Sequence, residues 1–142
     1  MNDDTKRVLQ RDDIVGKSIR GVYHSDWEVD SDGYGGCEGF VELEDGVVFK
    51  LQETTPSMVT PILAVDPSEA ALHPVPAHVL EACKGKVIRE VIAGEYWPWI
   101  GLLLDDETVV FKGEFSLRRV GPCVEHRSSY RVMEFSPYWP CD

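Results

Sequence analysis

The chain has 142 residues, 43% apolar and 27% charged, which fits one globular domain with a real hydrophobic core. Its formal net charge of -11 repels phosphate backbones, so nucleic acid is not an expected partner, whereas a basic protein is. Residues 1–7 are charged and lead into no apolar core, and the apolar run at 97–104 is too short to cross a bilayer, so no signal peptide or membrane span is expected and a cytoplasmic location is.

In chain order, a short helix is predicted ahead of Gly16-Lys17, then an Ile- and Val-rich strand from Ile19. The stretch Val29-Asp30-Ser31-Asp32-Gly33-Tyr34-Gly35-Gly36-Cys37-Glu38 alternates acids with small residues, as calcium loops do. A calcium-binding loop of the EF-hand type needs acids at its first, third and fifth positions and glycine at its sixth. Counted from Asp30, Gly33 arrives at the fourth and Val41 holds the twelfth, so the stretch reads as a turn between two strands. The returning strand ends in Leu43-Glu44-Asp45-Gly46, a strong hairpin signal, and a third strand runs from Val47 to Leu51.

These features recur. Gly16-Lys17-Ser18-Ile19-Arg20-Gly21-Val22 resembles Gly85-Lys86-Val87-Ile88-Arg89-Glu90-Val91, and Gly39-Phe40-Val41 with Val47-Val48-Phe49-Lys50 resembles Gly101-Leu102-Leu103 with Val109-Val110-Phe111-Lys112. Asp106-Glu107-Thr108 stands where the first block has Asp-Gly and is the weaker turn. The expected fold is α+β, mainly an antiparallel sheet or half-barrel, built from two duplicated helix–strand–hairpin units in one domain over 1–142. Copy one covers about 8–51 and copy two about 77–120. A proline-rich connector at about 54–76 carries Pro56, Pro61, Pro67, Pro74 and Pro76, with an edge strand at 60–65, and Pro76 suits the start of the second helix. In the C-terminal strand and tail, 121–142, Gly121-Pro122 marks a turn between strands at 116–120 and 130–135.

Period-2 alternation through residues 22–30 puts Tyr23, Trp27 and Val29 on one face and His24, Asp26, Glu28 and Asp30 on the other. On the returning strand Val41 and Leu43 face in while Glu42 and Glu44 face out. The hairpin would thus display a band of carboxylates, Asp26, Glu28, Asp30, Glu42 and Glu44, suited to a basic partner. The second hairpin is apolar on both faces and should be covered on both. Tyr96, Trp97, Trp99 and Trp139 form an alternative site, an aromatic pocket for a small molecule or substrate, or part of the core.

Catalytic motifs are missing. His24, His73, His78 and His126 make no HExxH pattern, and there is no GxSxG, P-loop or Rossmann fingerprint, so neither catalytic residues nor a cofactor are assigned. Cys37, Cys83, Cys123 and Cys141 contain no CxxC pair and read as free thiols. Cys123 and His126 have the spacing of half a zinc site, too little to assign a metal.

A small, acidic chain of repeated Gly-Lys-x-Ile and Leu-Glu-Asp-Gly-x-Val strands resembles the immunity proteins of bacterial toxin–immunity systems. That resemblance implies a non-catalytic inhibitor that covers the active or substrate-binding surface of a cognate, basic toxin. The competing readings are the aromatic pocket and a homodimer that buries the apolar second hairpin.

Overall fold

The computed structural model describes residues 8–26, 28–29, 35–51, 62–68, 72–93, 100–112, 122–126 and 131–132. In chain order they form β1 (Val8–Leu9), α1 (Arg11–Ile14), β2 (Ile19–His24), β3 (Glu28–Val29), β4 (Gly35–Gly36), β5 (Gly39–Leu43), β6 (Val48–Lys50), β7 (Ile62–Val65) and β8 (His73–Pro74). There follow α2 (Ala77–Cys83), β9 (Ile88–Ala93), β10 (Ile100–Leu104), β11 (Thr108–Lys112), β12 (Pro122–His126) and β13 (Arg131–Val132). The architecture is mostly antiparallel sheet with two short helices, as the α+β expectation required.

One sheet has the order β1-β7-β6-β5-β2-β8 and the other β12-β11-β10-β9-β13. A small separate pair, β3 with β4, sets Glu28 opposite Gly36 and Val29 opposite Gly35. Residues 30–34, the middle of the stretch that resembles a calcium loop, lie outside the described residues.

Both helices are short and end in the same way. Gln10 donates its N–H to Asp13 Oδ2 at 2.7 Å and starts α1, while Pro76 sits at the N-cap of α2. Gly16 (φ 90°) and Gly85 (φ 82°) then turn the chain in the left-handed region, open to glycine without a Cβ penalty. Each junction bonds to the other. Gly16 N–H donates to Ile88 O (2.8 Å) and Gly85 N–H to Ile19 O (2.8 Å). Ile88 N–H donates to Lys17 O and Ile19 N–H to Lys86 O, both at 2.9 Å, around an antiparallel bridge between Ser18 and Val87. Each helix also reaches across: α1 packs on β9, where Arg11 makes a two-pronged ion pair with Glu90 (2.7 and 3.0 Å), and α2 packs on β2.

One core results. Ile14, Val79 and Cys83 from the helices, Ile19, Val22, Val41, Leu43 and Phe49 from the first sheet, and Ile88, Val91, Ile100, Leu102, Leu104 and Val110 from the second pack together. Ile92, Leu103 and Val109, on the second sheet's other face, are buried as well (2%, 3% and 1% exposed), so that hairpin is covered on both faces as its sequence implies.

Two expectations are corrected. The strand in the proline-rich connector is interior, because β1 pairs with it outside: Val8 lies opposite Leu63, and Ile62 is fully buried. Pro122 opens β12 instead of lying in a turn; as the first residue of a strand it removes no ladder donor that the pairing needs. Of the predicted C-terminal strand, Arg131 and Val132 pair with Ala93 and Ile92, while 116–120 lies outside the described residues.

The two hairpin turns share one geometry although only one contains glycine. Gly46 (φ 90°) donates its N–H to Leu43 O at 2.9 Å, and Glu107 (φ 71°) donates to Leu104 O at 3.0 Å. A side chain held in this region costs about 1–2 kcal/mol. Replacing Glu107 with glycine should therefore stabilise the chain by about 0.5–1 kcal/mol, whereas Gly46→Ala should destabilise it by about 1 kcal/mol. Urea midpoints of both variants test this, and a destabilising E107G would show that the Glu107 side chain outweighs its backbone strain.

Candidate functional site

The carboxylates that the sequence groups into one band fall into separate places, and a β-bulge is the reason. Pairing between β2 and β5 shifts between Ile19 and Gly21, so Ile19 and Val22, three residues apart, both face the core (2% and 1% exposed). The bulge changes the phase of the strand. Tyr23 therefore lies on the Glu42 side, where its hydroxyl donates to Glu42 Oε1 at 3.0 Å, and not inward as alternation alone implies. His24 goes to the other side with Val22. Asp26 accordingly does not join Glu42.

Around Glu42 the face carries a network. Arg20 Nη1 stands 3.5 Å from Glu42 Oε2, and Arg20 Nη2 donates to the carbonyl of Glu44. Partial burial, followed by the Glu42 carboxylate, raises the Tyr23 hydroxyl above its ordinary value and keeps it a donor. Tyr23 lies over Gly21, where an added Cβ would meet its hydroxyl oxygen at 2.6 Å. Glu42 is thus committed to internal partners.

Glu44 belongs to a different feature, the end of the molecule where the hairpin turns meet the Gly-Lys junctions. Glu44 N–H donates to Ser18 O (2.9 Å) and Asp105 N–H to Val87 O (3.0 Å), so the two turns flank the Ser18–Val87 bridge. Glu44, Asp45, Asp105, Asp106 and Glu107 are all exposed there. Glu44 Oε1 accepts the Ser18 N–H at 2.8 Å. In each turn a lysine answers one aspartate: Lys17 Nζ is 3.2 Å from Asp45 Oδ2, and Lys86 Nζ donates to Asp106 Oδ2. Partial burial pushes the Asp45 carboxyl up, but the Val47 N–H and the Lys17 ammonium outweigh it and hold it below its ordinary value. Asp106 is held down to about 2, chiefly by the Lys86 bond.

Asp26, exposed, meets His73 instead, with His73 Nε2 at 2.6 Å from Asp26 Oδ1. Sequence reading missed this partner because His73 lies in the connector, and only the pairing of β8 with β2 brings the two together. The lysine–aspartate ties were not readable from the matched sequence blocks, which set Asp45 against Glu107; the bonds of the two turns, Gly46 to Leu43 and Glu107 to Leu104, set it against Asp106.

Of the remaining candidates, Glu28 is placed by its backbone in β3, and Asp30, Tyr96, Trp97, Trp99 and Trp139 lie outside the described residues. Cys123 and His126 are placed by their backbone in β12. No group of three or more His, Cys, Asp or Glu among the described residues could hold a metal ion. Cys37 and Cys83 are both buried, and burial pushes the Cys83 thiol up to about 12, which keeps it an unreactive thiol. No helix among the described residues is long and apolar enough to cross a membrane. No family model, curated protein or solved structure matches this chain.

The Lys86–Asp106 tie has a pH signature. Its folded value lies below the unfolded aspartate value near 3.9, so its stabilisation is present above about pH 4 and is lost as pH falls towards about 2. Both side chains are about one-third exposed or more, and solvent screening limits the contribution to about 1 kcal/mol or less. Asp106→Asn should therefore lower stability at pH 6 and converge with the parent chain only below about pH 2, as urea titrations at pH 6 and at about pH 1.5 would show. An equal deficit at both pH values would remove the ion pair as its cause.

Proposed function

We propose that the chain is a non-catalytic binding protein of the immunity type, which neutralises a cognate basic toxin by covering its active or substrate-binding surface. The observation that carries this reading is charge. The net charge is -11, and five exposed carboxylates gather on two turns at one end, where lysines answer Asp45 and Asp106 and no lysine answers Glu44, Asp105 or Glu107 in the ion pairs among the described residues. Such a field speeds encounter with a basic surface and falls away with salt. Glu42 and Asp26 are already paired within the chain, which moves the centre of the contact from the predicted band towards these turns, with Glu44 common to both.

The reading includes a scaffold of two duplicated units, each curled as a half-barrel. The strand orders β7-β6-β5-β2-β8 and β12-β11-β10-β9-β13 support it, since each follows the same path through the chain. Chain length supports the curling. From His126 to Arg131 the backbone reaches at most about 18 Å, while a flat sheet would set β12 about 19 Å from β13 across four strand spacings. A contact surface on such a scaffold is held in place, because each turn is bonded to the strand start of its own unit and the two strand starts meet at the Ser18–Val87 bridge.

Affinity capture of the full chain from its native cells, at low and then moderate salt, tests the function. A single basic protein held at low salt and weakened at higher salt is expected; an empty eluate would overturn the reading. With that partner in hand, Asp105→Lys with Glu107→Lys should slow association about tenfold at low salt without unfolding the domain. The pair Glu28→Lys with Glu42→Lys reports on the predicted band, and unchanged association in both double variants would rule out charge steering.

A further inference from the structure

We propose that His24 and His73 form a surface site for a late first-row divalent transition ion, with copper preferred over zinc. The two residues are direct partners across β2 and β8, with ring centroids 5.3 Å apart and planes tilted by 34°. An ion about 2.0–2.1 Å from two imidazole nitrogens sets the ring centroids about 4.5 Å apart at the right angle of a tetragonal copper site and about 5 Å apart at a tetrahedral angle, so a small rotation of the exposed His73 ring suits copper.

The second nitrogen of each ring is already engaged. His24 Nδ1 lies 2.7 Å from Ser25 O, and a carbonyl only accepts, so Nδ1 carries the proton and Nε2 keeps its lone pair. His73 Nε2 donates to the Asp26 carboxylate at 2.6 Å, which leaves Nδ1 with the lone pair. Histidines that bind metals characteristically give their other N–H to a carbonyl or a carboxylate, which fixes the tautomer and strengthens the ligand. This pair has one partner of each kind.

The His73 and Asp26 side chains are 46% and 69% exposed, so an ion can enter and water can complete its shell. Since the described residues hold no cluster of three or more metal ligands, the site is a two-nitrogen chelate and Asp26 acts as an orienting group. Imidazole nitrogens suit copper, nickel and zinc, with copper the tightest. Bound there, the ion would tie β8 to β2 and anchor the connector, where Pro74 has no N–H to give to the ladder.

The experiment is a Cu2+ titration of the untagged full chain with Cys123 and Cys141 replaced by serine, followed by calorimetry and electron paramagnetic resonance. One ion per chain with a two-nitrogen signature is expected, together with a raised Tm and weaker binding of Zn2+. His24→Gln and His73→Gln should each lower the affinity at least about tenfold and abolish that signature, and Asp26→Asn should lower it about tenfold. His78→Gln should change neither. His73 is half-exposed, so H73Q decides the matter even if H24Q fails to fold. An affinity unchanged in H73Q, or a spectrum with oxygen ligands only, would overturn the site.

Discussion

The Ser18–Val87 bridge and the four backbone bonds around it hold the molecule together, because they join the two helix exits, the two first strands and both sheets at once. Each bond on one side has a counterpart on the other: Gly16 to Ile88 against Gly85 to Ile19, and Ile88 to Lys17 against Ile19 to Lys86. Ile19 and Ile88 are buried, and a buried N–H left without its partner would cost about 1–3 kcal/mol, so each of these strands depends on the carbonyl the other junction supplies. The helices reinforce this dependence. Each lies on the first strand of the opposite half, and the core mixes residues of both. Neither half closes its own core.

On this common framework the two sheets use their outer faces differently. Where the first has Tyr23 and Glu42 in a network with Arg20, the second has Ile92 and Leu103, both buried. One face is polar and half-exposed; the other is a second apolar cluster. One sheet thus has a wet outer face and the other a dry one, and the side chains on those faces set the difference.

Carboxylate count is a poor guide to available charge. Glu42 is held by Tyr23 and Arg20, Asp26 by His73, Asp45 by Lys17 and Asp106 by Lys86. These ties order the surface and set the geometry of the turns. The acidity left to act on a partner is concentrated at the end where both turns flank the bridge. A rigid, one-sided field of this kind favours encounter and register more than tightness.

Much of the framework was legible in residue types. Glycine at 16, 46 and 85 marks the positive-φ positions, Pro76 marks a helix start, and apolar alternation identifies the strands, because these depend on local sterics and burial. Other features depended on what the chain meets in space. The bulge after Ile19 reversed the facing of Tyr23 and His24, and a one-residue shift is invisible to a period-2 pattern. The connector strand became interior only because β1 came back to pair with it, and His73 met Asp26 and His24 only because β8 returned to β2. Local conformation was written in the residues, whereas the grouping of side chains was decided by register and strand order, which arise from long-range pairing.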